Sequence, residues 1–292
     1  MKHWKYIYSI LFLLLAGIVL AIFQIPDKNL HIVACDVGQG DAILVSMGNT
    51  QILTDGGPDK SVLDCLGKYM PFWDRNIELV VVTHPDADHA TGIISVIGDY
   101  EIGGIMVNPI DPGTEVYKVL EKEVGGRGIP VIHPLEGMKL RVGLIYLDIV
   151  SPSRELIERL TISNGVGNMN IYEESKETNL YSIVYKLSLK NFSGLFLGDA
   201  PPEVCDTLST YSEIGTVNYI KIPHHGSVNG LTENLLKVVM PETAVISLGD
   251  NPWGFPRQEI LDMLSKYNVI VLRTDQLGDI EVVTDGEGYW VE

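Results

Sequence analysis

One short segment of the sequence places four potential metal ligands within six residues. His84, Asp86, Asp88 and His89 directly follow the apolar run 79–82. Imidazole nitrogens and carboxylate oxygens both bind divalent cations. Carboxylates that converge on one point repel one another unless a cation lies between them. The segment therefore predicts a metal site at the end of a buried strand, and a solvated acidic turn is the alternative.

The elements that must position this segment follow from the hydrophobic pattern. Short β-rich runs alternate with turns over residues 30–54, and residues 61–70 and 91–97 have the apolar spacing of helices. A second series of strands and helices runs from residue 180 to the end of the chain. Two β-rich halves, each with helices, predict an α/β (α+β) fold in which two sheets lie between helices, an αββα sandwich. Residues 156–178 are predicted to form a loop or lid.

The chain begins with an apolar segment. No residue from 6 to 26 is charged, and residues 10–23 are almost continuously apolar, which is long enough for a helix to cross a hydrocarbon core of roughly 30 Å. Two lysines precede it, so the positive-inside bias places the N-terminus in the cytoplasm. We expect a transmembrane anchor over residues 1–26 and an extracytoplasmic domain over residues 27–292. A cleaved signal peptide is the alternative, although no small-x-small cleavage site is present.

The net charge of −17 bears on the kind of substrate. An acidic surface repels polyanions over long range, which counts against a broad nucleic-acid-binding face. It does not exclude a local phosphate site, because bound divalent ions are the largest charges in any pocket that holds them.

The cysteines indicate neither a disulfide framework nor a zinc site. Cys35, Cys65 and Cys205 are odd in number and form no Cys-x-x-Cys pair. We therefore expect no disulfide framework.

Six stretches, in order, match one known family. Residues 83–89 (THPDADH) resemble the His-x-His-x-Asp-His signature of the metallo-β-lactamase superfamily, with Asp86 in place of the second histidine. This variant is similar to the metallo-β-lactamase-like domain of ComEC-type competence proteins. The other five stretches are 36–42 (DVGQGDA), 54–57 (TDGG), 197–200 (LGDA), 221–227 (KIPHHGS) and 273–278 (RTDQLG). The resemblance covers residues 30 to 284.

The resemblance implies a hydrolase with two divalent metal ions. The metal ligands that it implies are His84 and Asp86 at the first ion, Asp88, His89 and His225 at the second, and Asp199 bridging both. Hard carboxylate oxygens favour Mn²⁺ or mixed occupancy, while the imidazoles still suit Zn²⁺. The implied catalytic residues are Asp88, Asp199 and His224. His224 would protonate the leaving group or bind phosphate with Ser227, and support of its neighbour His225 is the alternative.

Further residues are candidates for supporting the ligands or contacting the substrate. Asp55 matches an Asp-Gly element that orients ligands in the superfamily, and a plain turn is its alternative. The remaining candidates are Asp36, Gln39 and Asp41, which would line the floor of the site or form a structural turn, and Asn179 and Ser182, which match an Asn-x-x-Ser element. Lys221, Arg257 and Arg273 would contact phosphate or be surface charges.

The sequence departs from the family pattern at two places. The superfamily normally supplies a further histidine to the first metal, but only His133 lies in that interval, and its context indicates a structural residue. The first metal site is therefore predicted to be open or weakly occupied. Phe255 stands where the family usually has histidine, which changes the substrate contacts or removes a proton donor.

These observations favour a membrane-anchored phosphodiesterase or nuclease that acts on DNA or another phosphodiester. An extracytoplasmic metallohydrolase of a non-nucleic-acid ester, phosphoester or lactam is the second hypothesis. The third is a non-catalytic, membrane-anchored metal-binding module. The sequence gives no sign of an obligate protein partner.

Overall fold

The computed structural model describes residues 4–23, 26–111, 113–162 and 178–292, which fold around two large sheets. The eight-stranded sheet contains, in spatial order, β17 (Tyr289–Val291), β16 (Ile280–Thr284), β1 (Leu30–Ala34), β2 (Ile43–Met47), β3 (Thr50–Thr54), β5 (Leu79–Val81), β7 (Ile105–Met106) and β8 (Val131–Ile132). The seven-stranded sheet contains β15 (Ile270–Arg273), β14 (Thr243–Ile246), β13 (Tyr219–Lys221), β12 (Phe192–Phe196), β11 (Val184–Leu189), β10 (Ile145–Ser151) and β9 (Lys139–Val142). β4 (Asn76–Ile77) pairs with β6 (Glu101–Ile102).

Alternating side chains bury both faces of each sheet. In β1, Ile32 packs between the two sheets, whereas Val33 packs beneath the helices on the outer face. The helices on that side are α2 (Val62–Tyr69), α3 (Ala87–Asp99) and α4 (Glu115–Arg127). The opposite outer layer is α6 (Pro202–Leu208), α7 (Glu233–Val239) and α8 (Gln258–Lys266). The predicted αββα sandwich is confirmed. The remaining helices are α1 (Trp4–Phe23), α5 (Arg154–Ile162) and α9 (Thr274–Leu277).

The candidate ligands follow the carboxyl ends of two pairs of parallel strands. β3 and β5 are parallel neighbours in the first sheet, and β12 and β13 are parallel neighbours in the second. The loop after β3 contains Asp55 and Gly56, and it packs directly on α3: a Cβ at Gly56 would lie 2.5 Å from the backbone nitrogen of Ile93. Only glycine permits this approach. The four segments that follow β3, β5, β12 and β13 therefore lie together at one rim of the sandwich.

Two predictions about individual segments need correction. No helix among the described residues has both the length and the apolar character required to cross a membrane, so the predicted transmembrane anchor is not supported. The predicted loop or lid over 156–178 begins as helix α5, and its remainder, 163–177, lies outside the described residues.

A disulfide joins Cys35, directly after β1, to Cys65 in α2. Cys205 is free and buried in the outer core. The prediction of no disulfide framework did not anticipate this single bond, because an odd cysteine count excludes full pairing but does not exclude one bond. The two Cα atoms lie 5.9 Å apart across a sequence separation of 30, and only the fold brings them together.

We expect the Cys35→Ser/Cys65→Ser double variant to lose about 3 kcal/mol of unfolding free energy, since the bond restricts the unfolded chain. Urea unfolding of the oxidised wild type and the variant measures this loss. Cys205→Ala is the matched control, because it removes a buried thiol that forms no disulfide. Equal stability of wild type with and without reductant would contradict the prediction.

Candidate metal centre

Five candidate ligands converge on one point at the rim of the sandwich, and the sixth, Asp86, lies at the edge of the group beside His84. Asp199 lies at the centre: its Oδ1 is 3.4 Å from His89 Nε2, and its Oδ2 is 3.9 Å from His84 Nε2 and 3.8 Å from His225 Nε2. Two further carboxylates complete the group. Asp86 Oδ2 is 3.8 Å from His84 Nε2, and Asp88 Oδ2 is 3.3 Å from His225 Nε2 and 3.9 Å from His89 Nε2.

These spacings fit a divalent cation. Ligands that lie about 2.1 Å from a tetrahedral ion are about 3.4 Å from one another, and the donor pairs here are separated by 3.3 to 3.9 Å. Four donor atoms are buried without a hydrogen-bond partner among the described residues. They are Nε2 of His84, His89 and His225, and Oδ1 of Asp199. Because buried polar atoms normally have partners, this cluster is the kind that a cation satisfies.

Hydrogen bonds fix the orientation of all three imidazole rings. His89 Nδ1 donates to Asp55 Oδ2 at 2.9 Å, and His225 Nδ1 donates to the Ser247 carbonyl at 2.8 Å. Thr83 Oγ1 gives its proton to Asp55 Oδ2, so it accepts from His84 Nδ1 at 3.0 Å. Each Nδ1 is therefore a donor, and in the neutral ring each Nε2 keeps its lone pair for a metal.

Burial and neighbouring charges shift the pKa values of these groups. Burial, together with the nearby charge of His89, lowers the pKa of His84 to about 3. Burial also acts against protonation of His89, but Asp199 and Asp55 outweigh it and raise its pKa well above the usual value. Burial opposes ionisation of Asp88, but a hydrogen bond with His225 and the charge of His89 lower its pKa to about 2. Protons and metal ions thus compete for the same cluster.

A fully buried ion pair supports the floor of the site. Lys221 Nζ donates to Asp41 Oδ2 and, at 3.0 Å, to the Ile222 carbonyl. Asp41 Oδ1 lies 3.5 Å from His225 Nδ1, and the Asp41 backbone N–H donates to the Asp88 carbonyl at 3.2 Å. The hypothesis that Lys221 contacts phosphate was wrong, because its ammonium group is enclosed and already neutralised. In the sequence, the position of Lys221 at the end of an apolar strand and shortly before two histidines could have indicated this supporting role.

We expect Lys221→Met to cost about 3–5 kcal/mol of unfolding free energy, because it leaves the Asp41 carboxylate buried and unpaired. Lys221→Met/Asp41→Asn should recover part of this loss. Lys68→Met is the matched control, since the Lys68–Asp279 pair is exposed and worth under about 1 kcal/mol. Chemical denaturation of the three variants measures the difference. If Lys221→Met lowers the unfolding free energy as little as Lys68→Met does, the prediction for the buried ion pair is wrong.

Three consecutive residues with positive φ separate the two adjacent histidines in space. His224, His225 and Gly226 have φ values of 52°, 53° and 78°. Non-glycine residues in this region are costly and concentrate at functional sites. The turn buries His225 among the ligands and leaves His224 half-buried, with its ring 6.4 Å from that of His225.

The other candidates lie in more ordinary surroundings. Asp36 is exposed, and its carboxylate accepts from the backbone of Gly38 in a turn. Gln39 is half-buried, with Oε1 unpartnered among the described residues. Ser227 accepts from the backbone N–H of Asn229 at 3.1 Å, which is a turn contact. Arg273 forms a bidentate pair with Asp275, so its charge is neutralised locally.

The Asn-x-x-Ser element lies beside Asp86. Asn179 belongs to a 3₁₀ helix over Thr178–Tyr181, and the carbonyl of Asn179 accepts from the backbone of Ser182, which is fully buried. Sequence reasoning missed Thr178. Burial raises the pKa of Asp86, and a hydrogen bond from Thr178 partly offsets this. His133 Nδ1 donates to the Val107 carbonyl at 3.1 Å, which fits the structural role expected for it.

Comparisons with known proteins agree with this geometry. Recombination protein 2 of Haemophilus influenzae is 24% identical over 277 residues, which cover 92% of this chain and 31% of that protein. ComE operon protein 3 of Bacillus subtilis is 23% identical over 269 residues, covering 84% and 32%. The chain thus spans about a third of the length of the curated relatives that it matches. No protein-family model matches it.

A solved structure decides the fold. The metallo-β-lactamase-fold protein YhfI of Bacillus subtilis superposes with a TM-score of 0.56 and 12% identity, covering 91% of this chain and all of that one. The chain has the metallo-β-lactamase fold. The resemblance to this superfamily and to competence proteins, expected from six short stretches of sequence, is confirmed. In this metallo-β-lactamase-fold chain, the His84 and Asp199 loops come from different sheets and meet at the rim.

Proposed function

We propose that the chain is a metal-dependent hydrolase that holds two divalent cations, Zn²⁺ or Mn²⁺. His84, Asp86 and Asp199 would hold the first ion, and Asp88, His89, His225 and Asp199 the second. One observation carries the proposal: three buried imidazoles present unpartnered Nε2 atoms to one another across the Asp199 carboxylate. The first ion has one histidine, so we expect it to bind more weakly than the second.

The chemistry of the site follows from this arrangement. Divalent ions bound there supply Lewis-acid chemistry, making a hydroxide available near neutral pH and neutralising charge on a phosphoryl oxygen. Asp199 and Asp88 would bind the ions and orient the other ligands. His224 lies beside the cluster but is not among the closely spaced ligand groups. Its position suits a general acid for the leaving group.

We propose a phosphodiester as the substrate, with a nuclease as the specific activity. Two ions can stabilise both the attacking and the leaving oxygen of an in-line displacement. The names of the two curated relatives, a recombination protein and a ComE operon protein, are consistent with a substrate of this class. The net charge of −17 favours short or single-stranded substrates over long duplexes.

Assays of the full chain with Mn²⁺ or Zn²⁺ test this function. Single-stranded DNA, bis-p-nitrophenyl phosphate and a chromogenic lactam are offered in parallel, and His89→Ala is the control for contaminating activity. We expect cleavage of the first two substrates and none of the lactam. Turnover of the lactam alone would indicate that the substrate is an acyl compound and not a phosphodiester. No turnover with metal bound would favour a non-catalytic metal-binding module.

We also propose an extracytoplasmic location for the domain. The Cys35–Cys65 bond supports this, because disulfides persist mainly in oxidising compartments. Alkylation of free thiols in intact cells before lysis tests it: Cys35 and Cys65 should be protected, whereas recovery of both as free thiols would contradict the proposal.

A further inference from the structure

A row of aromatic rings leads outward from the metal centre. The His224 ring lies 6.0 Å from the Phe255 ring, in an edge-on arrangement. Phe255 in turn stacks on Trp253, with ring centroids 6.0 Å apart and planes 23° apart. We call His224, Phe255 and Trp253 the aromatic row. It begins beside the ligand His225 and ends at the surface.

The outer end of the row is open to solvent, and a cation lies beside its middle ring. Trp253 is 54% exposed, an unusual position for so large an apolar ring. Among the described residues, only Phe255 stacks on it. The guanidinium of Arg257 lies 5.8 Å from the Phe255 centroid, and Arg257 is exposed. Flat π faces beside an arginine are the usual surface on which nucleobases stack.

The loop that carries the row is held in place. The Asn251 side chain accepts from the Phe255 backbone N–H at 2.9 Å and donates to the Phe255 and Gly249 carbonyls. The Arg257 backbone N–H donates to the carbonyl of Gly226, next to His225, at 2.9 Å. The loop that carries the row is therefore tied directly to the turn that presents a candidate metal ligand.

We propose that the aromatic row is a stacking subsite for a nucleobase adjacent to the scissile phosphodiester. This rests on the proposed phosphodiesterase function and specifies the substrate as single-stranded nucleic acid, because only an unpaired base exposes a face for stacking. Stacking needs no positive surface. The subsite thus gives an acidic protein a source of affinity that does not depend on contacts with several phosphates.

A pair of substrates that differ only in their bases tests the subsite. The full chain, with Mn²⁺, is given a labelled oligothymidylate or an abasic oligomer of the same length and backbone charge. We expect the wild type to prefer the oligothymidylate through KM, and Trp253→Ala to raise that KM by roughly 5- to 150-fold, the equivalent of one lost stack. KM for the abasic oligomer should not change, and Trp253→Phe should retain most of the preference.

Trp290→Ala is the matched control, since Trp290 is a 43% exposed tryptophan on β17, in the other sheet. It should leave both KM values unchanged. If the wild type cleaves both oligomers equally, or if Trp253→Ala keeps the preference, the subsite is wrong while the phosphodiesterase function stands. Cleavage of neither oligomer by metal-loaded wild type overturns the proposed function and the subsite together.

Discussion

Asp199→Ala is expected to abolish turnover and to lower the metal content, with the fold largely retained. Asp199 is the carboxylate that lies within 3.9 Å of all three buried imidazoles, so its loss would remove a ligand from both of the proposed ions. The loss of activity should exceed the roughly 10- to 100-fold that removal of a ligand's supporting partner costs. The fold should survive because the core on each side of the sheets is apolar.

Rates and plasma mass spectrometry on the same preparations measure both effects. Asp64→Ala is the control, because Asp64 is an exposed aspartate on α2, away from the cluster. Full activity of Asp199→Ala with bound metal would remove the two-ion chemistry from consideration.

The second large effect should separate His224 from His225. His225→Ala should lose metal, because the buried His225 Nε2 lies among the donor atoms. His224→Ala should keep its metal and lose rate by about 10²- to 10⁴-fold, as expected for a general acid. That loss should shrink on a p-nitrophenyl substrate, whose leaving group needs no proton.

Metal analysis, paired with rates on good and poor leaving groups, distinguishes the two roles. Loss of metal from His224→Ala and its retention in His225→Ala would exchange the two assignments. A uniform loss on both kinds of leaving group would instead make His224 a positioning residue for its neighbour.

The parts of the site that lie close together in sequence were predictable. His84 to His89 fall in six residues after an apolar strand, and Asp199 follows another such strand. The four ligands of the first segment were predictable from their types and spacing, whereas the convergence of Asp199 with them was predicted through the resemblance to the metallo-β-lactamase superfamily. The αββα sandwich was also predictable, since the pattern of strands and helices alternates in both halves.

The remaining features depend on pairs far apart in sequence. The Lys221–Asp41 contact joins residues separated by 180 positions. The sequence pattern indicated only a phosphate contact or a surface charge for Lys221. The Cys35–Cys65 bond likewise requires the position of α2 on the sheet. The left-handed turn at His224 was hidden because histidine rarely adopts that conformation without a rigid surrounding.

The division of the ligands between the two sheets has a consequence during synthesis. His84 and His89 lie in the segment that follows β5 of the first sheet, while Asp199 and His225 follow β12 and β13 of the second. A nascent chain that has formed only β1 to β8 holds His84 and His89 without Asp199 and His225. The ligand set can be completed only after residue 225 has emerged and the second sheet has packed on the first. The fold itself therefore delays the assembly of the candidate metal centre until late in synthesis.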